Sequence, residues 1–160
     1  MTVHVLTRSQ TLAGTPDTVF PFFAQARNLE AITPPFLGFR VMTPAPIEMA
    51  PGTLIAYRLK LHGVPLRWLT RIEEWEPGVR FVDAQLRGPY ALWHHTHAFA
   101  ADPGRPGWTV MRDTVRYALP FGPLGELAHR IMVRRDLERI FAYRAQTVAR
   151  MVADVSEAER

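Results

Sequence analysis

The stretch TLIAYRLKLHGVPLRWLTRIEEW, residues 53–75, decides the fold because apolar and polar side chains alternate on both sides of a glycine. Ile55, Tyr57 and Leu59 are apolar and alternate with basic residues. Successive side chains of a strand point to opposite faces, so the pattern predicts a β-hairpin with one buried face. A tight turn around the glycine predicts that the buried face pairs Leu59 with Trp68, Tyr57 with Thr70 and Ile55 with Ile72.

The chain continues beyond this hairpin with three more strands of the same kind. Short separators rich in proline and glycine stand between them, which favours antiparallel hairpins. The three strands are RFVDAQL (80–86), ALWHHTHAFA (91–100) and WTVMRDTVRYAL (108–119), and two more are predicted upstream at VHVLTRSQTL (3–12) and FRVMT (39–43). The sequence therefore predicts a seven-stranded antiparallel sheet.

The remaining elements are predicted to be helices. Thr15 as N-cap and Pro16 at the first helical position begin one short helix, and ARNLEAI (26–32) forms a second. After Pro123 the chain is free of proline and forms an amphipathic helix of roughly eight turns. The positions predicted to face the sheet are Leu127, Ile131, Leu137, Phe141, Ala145, Val148 and Val152. A long helix packed on an antiparallel sheet is an α+β fold.

Length and composition are typical of one globular domain. With 160 residues and 48% hydrophobic side chains, we expect a single domain over residues 1–155 and a short tail over 156–160. The absence of cysteine excludes disulfides, cysteine zinc sites and a thiol nucleophile. No apolar segment is typical of a signal peptide or of stable membrane insertion, so a cytoplasmic location is predicted.

The positive charge of the chain is spread out. The net charge is +4, but the arginines are scattered and only Arg134 and Arg135 are adjacent, so nucleic-acid binding is not predicted. On the final helix, Arg134, Arg135, Arg139 and Arg144 are expected to face solvent. Arg134 is the candidate among them for reaching Asp113 or an acidic ligand.

Several ionisable side chains are predicted on the buried face of the sheet. Alternation places His95 and His97 inside and His94 at the surface, and the simplest register aligns Asp83, His95 and Asp113 in one cross-strand row. Buried carboxylates are costly unless they are paired. Ionisable groups beside inward aromatic residues therefore indicate a cavity with room for water or a ligand.

Four segments resemble known proteins. They are TPDTVFPFFAQARNLEAITPPFLGFRV (15–41), RFVDAQLRGPYALWHHTHAF (80–99), MRDTVRYALPFGPLG (111–125) and IFAYR (140–144). They are similar to the SRPBCC superfamily of START and birch-pollen-allergen-like helix-grip proteins, in a bacterial ligand-binding branch described as polyketide cyclase/dehydrase-like. The resemblance covers nearly the whole chain. It implies a curved sheet wrapped around the C-terminal helix, with a deep hydrophobic pocket between them.

The resemblance implies an apolar or amphipathic ligand, such as a lipid, a polyketide or an isoprenoid-like molecule. Known members range from carriers to cyclases, and no catalytic residue set carries over to this chain. The ligand-binding candidates are Tyr57, Trp68, Phe81, Asp83, Trp93, His95, His97, Phe99, Asp113, Tyr117 and Phe141.

Three alternatives remain open for the polar cluster and for the chain. His95 and His97, with Asp83 or Asp113 as third ligand, have a spacing that can bind a divalent metal ion, although a hydrogen-bonded network is favoured and no metal or cofactor is predicted. The same residues are candidates for cofactor-free acid–base catalysis, with His95, Asp113 and Asp83 as catalytic groups, so whether the protein is an enzyme stays open. An interaction module that binds a partner protein or a nucleic acid is the third alternative, and no oligomeric state is predicted.

Overall fold

Seven strands form one antiparallel sheet in the computed structural model, which describes residues 1–158. In chain order they are β1 (His4–Ala13), β2 (Arg40–Val41), β3 (Leu54–Leu61), β4 (Val64–Glu76), β5 (Arg80–Arg87), β6 (Leu92–Ala101) and β7 (Trp108–Ala118). The order across the sheet is β1-β7-β6-β5-β4-β3-β2. The predicted α+β class and the seven strands are confirmed.

Helices cover one face of this sheet. They are α1 (Pro16–Phe23), α2 (Ala26–Ala31), α3 (Gly122–Ala128) and α4 (Arg134–Ala158), with a π-helical turn, His129–Val133, joining the last two. Residues 122–158 thus form one continuous C-terminal helix, which passes the domain boundary expected at residue 155. Residues 159 and 160 of the expected tail lie outside the described residues.

The π turn changes which residues of the C-terminal helix face the sheet. Leu127 and Ile131 were predicted to be buried, but this is wrong, since they are 55% and 70% exposed. A π turn holds more residues than an α turn and shifts the phase of the helix before it. The buried positions instead follow four-residue steps through Gly125, His129, Val133, Leu137 and Phe141. Farther along, Val148 and Val152 are buried as predicted and Ala145 is half-buried.

The β3–β4 hairpin differs by two residues from the predicted register. Tyr57 lies opposite Trp68 and Ile55 opposite Thr70, so the predicted pairs are wrong. The connection is a two-residue turn in which His62 and Gly63 both have positive φ, 49° and 81°, as the tightest hairpin turns require. A shift of two residues leaves every side chain on its predicted face.

The β6–β7 hairpin is also shifted by two residues. Asp83 lies opposite His95, as predicted. However, Asp113 lies opposite His97, and the residue opposite His95 is Val115 instead of Asp113. The loop 102–107 sets this register, because the backbone N–H of Asp102 donates to the carbonyl of Trp108 at 2.9 Å. The predicted row of three therefore becomes a diagonal arrangement on the same face.

Met111 is 1% exposed and belongs to the core cluster where α1 packs against β7. Loss of its side chain is expected to disrupt the packing of this core. Replacing Met111 with alanine leaves a cavity among rigid neighbours, so we expect Met111→Ala to lower the free energy of unfolding by about 2–5 kcal/mol. The matched control is Leu54→Ala, on a residue that is 49% exposed, and its effect should stay below about 1 kcal/mol. Urea denaturation of both variants measures the difference, and equal midpoints would contradict this description of the core.

Candidate functional site

A cavity of about 210 Å³ lies between strands β3–β6, the short helices and α4. Its wall is mainly apolar, with aromatic and aliphatic side chains from each of these elements. Four side chains with a carboxylate, imidazole or guanidinium group, Asp83, His95, His97 and Arg144, line the cavity beside this wall. The apolar residues of the wall include Ile55, Trp68, Trp93, Ile140 and Phe141. An apolar cavity with a few placed polar groups is typical of small-molecule sites.

Eight of the eleven predicted ligand-binding residues line this cavity. They are Tyr57, Trp68, Phe81, Asp83, Trp93, His95, His97 and Phe141. The other three candidates are buried but do not line it. Phe99 packs against Phe20 and Phe23 in the core, and Tyr117 contacts His129 through its hydroxyl at 2.9 Å. Asp113 lies behind the two histidines rather than at the cavity wall.

His97 lies between two carboxylates. Its Nε2–H donates to Oδ2 of Asp83 at 2.7 Å, and its Nδ1 is 2.9 Å from Oδ1 of Asp113. Burial alone would lower the pKa of His97, but the contacts with Asp113 and Asp83 outweigh it and raise this pKa above the ordinary value. His97 therefore favours the charged imidazolium form, in which both ring nitrogens carry a proton that can be donated.

His95 has the opposite electrostatic character although it is the neighbour of His97 on the same face. Burial, followed by the charge of His97, lowers the pKa of His95 to about 4, so the ring is neutral at neutral pH. Its Nε2–H donates to Oδ1 of Asp113 at 2.8 Å. Its Nδ1 is then an acceptor, and the nearest carboxylate oxygen, on Asp83, is 4.0 Å away. Within residues 1–158 this nitrogen has no hydrogen-bond partner, and the ring borders the cavity.

Arg144 on α4 completes the cluster, and the prediction that it faces solvent is wrong, because it is half-buried and lines the cavity. Its Nη2 lies 3.4 Å from Nδ1 of His97, and its charge acts on both carboxylates. Arg134, the predicted candidate, is instead exposed and contacts Glu138. The helical spacing could have predicted this inward position, because Arg144 follows the buried Leu137 and Phe141 by seven and three residues and therefore shares their face.

The charges of the cluster balance. Burial opposes ionisation of Asp113, but Arg144 and the hydrogen bonds from both histidines hold its pKa well below the usual range. Burial likewise opposes ionisation of Asp83, and the hydrogen bond from His97 lowers its pKa. Two carboxylates thus face one imidazolium and one guanidinium. Beside them, burial and then the charge of Asp83 raise the pKa of Tyr57, so its phenol stays protonated.

The same geometry bears on the metal alternative. Ligand atoms of Asp83, His95 and His97 lie within 4.8 Å of one another, close enough to share an ion. However, three of the four ring nitrogens already lie 2.7–2.9 Å from carboxylate oxygens, and the positive charge of Arg144 is adjacent. A metal ion would have to displace these contacts, so the arrangement favours a hydrogen-bonded network over a metal site.

The third histidine of the sequence cluster, His94, points away from the cavity as predicted. It is half-buried rather than fully at the surface, and its Nδ1 is buried without a hydrogen-bond partner among the described residues. On the cavity side, His62 in the β3–β4 turn contacts Oδ2 of Asp136 on α4 at 2.7 Å. This contact holds the end of the hairpin against the helix, next to the lining residues Leu61 and Leu137.

Neither a family model nor a curated protein sequence matches the chain. Solved structures do share its architecture. The Zhui aromatase/cyclase from Streptomyces sp. R1128 is 16% identical, with a TM-score of 0.70 over 99% of this chain and 97% of that one. The chain has the helix-grip fold. Two further helix-grip structures are 14% identical with TM-scores of 0.68: Ara h 8.0201, over 96% of this chain and 99% of that one, and protein CV1439 from Chromobacterium violaceum, over 92% and 96%.

The resemblance to SRPBCC proteins is therefore confirmed at the level of the fold. The predicted curved sheet gripping a long C-terminal helix is the arrangement that these structures share with this chain. At such low identity the helix-grip fold carries no information about the ligand or the reaction. Those must be argued from the residues of the cavity itself.

The lowered pKa of His95 predicts a loss of stability in acid. In the unfolded chain this histidine takes up a proton near pH 6.5, whereas in the folded protein it does so only near pH 4. Protonation therefore favours the unfolded state as the pH falls through this window. The loss approaches about 3 kcal/mol by pH 4.

The variant His95→Gln isolates this effect, because glutamine can still donate a hydrogen bond to Asp113 but does not titrate. The difference in unfolding free energy between wild type and His95→Gln should change in favour of the variant between pH 7 and pH 4. Denaturant titrations at several pH values measure it. Two parallel stability curves would show that His95 is not held neutral by burial.

Proposed function

We propose that the protein binds an apolar or amphipathic small molecule in this cavity, with the apolar part of the ligand against the aromatic wall and its polar end at the cluster of His95, His97, Asp83 and Arg144. Asp113 contributes indirectly by holding both histidines. A lipid, a polyketide or an isoprenoid-like molecule has the required chemistry. The name of one neighbour, an aromatase/cyclase, is consistent with a ligand of this kind.

The observation that carries the proposal is the free acceptor at the cavity wall. A protein interior that served only as a packed core would not place two carboxylates, an imidazolium and a guanidinium next to a cavity lined by tryptophans. Nδ1 of His95 can accept a hydrogen bond from a ligand hydroxyl, and Arg144 can donate to a ligand carbonyl or acid. Removing the apolar part of the ligand from water contributes roughly 25 cal/mol for each Å² that is buried.

Filling the cavity should abolish binding without disturbing the cluster. Ile140 lines the cavity from α4, so Ile140→Trp inserts a large side chain into the ligand volume. The matched control is Gln146→Trp, on an exposed residue of the same helix. We expect wild type and control to enhance the fluorescence of anilinonaphthalene sulfonate with similar affinity, and Ile140→Trp to bind roughly tenfold more weakly or worse.

The control carries the same new side chain at the surface, so a loss of binding confined to Ile140→Trp can be assigned to the cavity. Circular dichroism checks that Ile140→Trp remains folded. Equal probe affinity in all three proteins would exclude the cavity as the binding site. In that case the proposed function fails.

A second candidate function is cofactor-free acid–base catalysis, such as cyclisation or dehydration of a polyketone. It is favoured by one observation: His95 is a neutral imidazole with an unpartnered Nδ1 at the cavity wall, as a general base requires. The low pKa of His95, about 4, makes it a weak base, and this favours the binding function. The neutral phenol of Tyr57 could hydrogen-bond to a developing enolate.

The variant His95→Gln distinguishes these two functions. If the protein is a binder, the variant binds the fluorescent probe with less than a tenfold change, and neither protein accelerates the cyclisation of a poly-β-ketone. If it is an enzyme, wild type accelerates the reaction, and the variant loses about a hundredfold or more of the rate while it still binds. Liquid chromatography of the cyclised products measures the rate, and an equal rate for both proteins would exclude His95 as the base.

A further inference from the structure

Four large apolar side chains are exposed along one face at the start of the C-terminal helix. Phe121 is 81% exposed and Leu124 is 73% exposed, and they continue into the exposed Leu127 and Ile131. Leu124, Leu127 and Ile131 follow each other at steps of three and four residues, which places them on one side of the helix, and Phe121 comes directly before the first helical residue. These four residues are here called the apolar ridge. Exposed apolar side chains in such a contiguous row are typical of a surface that binds a partner.

Two features of the backbone hold the ridge outward. The π turn rotates Leu127 and Ile131 away from the sheet and turns His129 and Val133 inward. Phe121 has a left-handed backbone conformation with φ of 70°. This conformation is strained for a bulky side chain, so the fold by itself gives no reason for a phenylalanine at this position. On the buried side, a Cβ at Gly125 would collide with the carbonyl oxygen of Pro120, so this face of the helix is fixed against the chain.

The charges next to the ridge are positive. Arg134 and Arg135 follow Ile131 by three and four residues and thus continue the same face, and Arg130 flanks it; all three are exposed. Glu126 is the only acidic residue in the sequence between positions 121 and 135. Its carboxylate is drawn inward to Nε2 of His4, at 3.2 Å. Arg134 contacts Glu138 on the next turn at 3.3 Å, whereas no ion pair within residues 1–158 involves Arg130 or Arg135.

We propose that the apolar ridge, together with Arg130, Arg134 and Arg135, docks the protein reversibly on an anionic lipid surface. An apolar row bordered by arginines matches the boundary between acyl chains and phosphate headgroups, where the row is removed from water and the guanidiniums contact phosphates. No helix within residues 1–158 has the length and apolarity needed to cross a bilayer, so the helix would lie along the surface. This surface is separate from the cavity, and the proposal stands whether or not the cavity binds a ligand.

Sedimentation with lipid vesicles tests the proposal on the full chain. Vesicles of equal parts phosphatidylglycerol and phosphatidylcholine should bind the protein, and vesicles of phosphatidylcholine alone should bind it at least about tenfold more weakly. Binding to the mixed vesicles should fall as the salt concentration rises. Failure of wild type to sediment with the mixed vesicles, or equal binding to both compositions, would overturn the proposal.

Two variants remove the ridge with little risk to folding. Phe121→Gly deletes the side chain and also relieves the positive φ, because glycine adopts it freely. Leu124→Ser with Ile131→Ser replaces two exposed positions. Each variant should lower vesicle affinity roughly tenfold or more, as expected when a large apolar side chain no longer leaves water. The matched control is Val64→Ser, an exposed apolar residue on β4, which should bind vesicles like wild type.

Two further experiments test the role of the arginines and whether a second copy of the chain covers the ridge. Arg134→Gln combined with Arg135→Gln should reduce binding to the anionic vesicles and abolish most of its salt dependence. A second copy of the chain could instead cover the ridge, and sedimentation velocity distinguishes this outcome. If wild type is a dimer that Phe121→Gly converts to a monomer, while both proteins bind vesicles equally, the ridge is a protein interface and the lipid proposal is wrong.

Discussion

The pairing of His97 with two carboxylates, the buried Asp113 and the half-buried Asp83, is the interaction on which the site depends. Asp83 and Asp113 lie on different strands, and each would be costly to bury alone. The imidazolium between them links β5, β6 and β7, and the charge of Arg144 on α4 favours the ionised form of both carboxylates. Because these charges are satisfied by one another, a polar end can exist beside an apolar cavity, and His95 can stay neutral with one nitrogen free.

The π turn in the C-terminal helix determines which of its residues pack against the sheet and which are exposed. It lets the same helix pack Val133, Leu137 and Phe141 against the sheet while turning Leu127 and Ile131 outward. Four residues of α4 between positions 137 and 144 line the cavity, and the apolar ridge lies earlier, at the start of the C-terminal helix. One helix thus contributes to an internal binding site and presents an exposed apolar surface, and the irregular turn between the two segments separates these roles.

Strand periodicity was sufficient to predict the fold and the faces of the sheet, because an error of two residues in register leaves every side chain on the same face. It placed Asp83, His95, His97 and Asp113 together without aligning them correctly, since the turn at His62 and the loop 102–107 set register through local backbone geometry. The exposed ridge could not be predicted, because a regular α-helical period gives no sign of a π turn. Arg144 could have been found from its spacing to Phe141.

The protonation of the two neighbouring histidines tests the central claim most directly. Nitrogen NMR of the imidazole rings distinguishes a doubly protonated ring from a neutral one and shows which nitrogen lacks a proton. At neutral pH we expect both ring nitrogens of His97 to carry a proton, and His95 to be neutral with a bare Nδ1 whose resonance shifts when an apolar ligand with a hydroxyl group is added. A neutral His97, or a charged His95 that is insensitive to any such ligand, would contradict it.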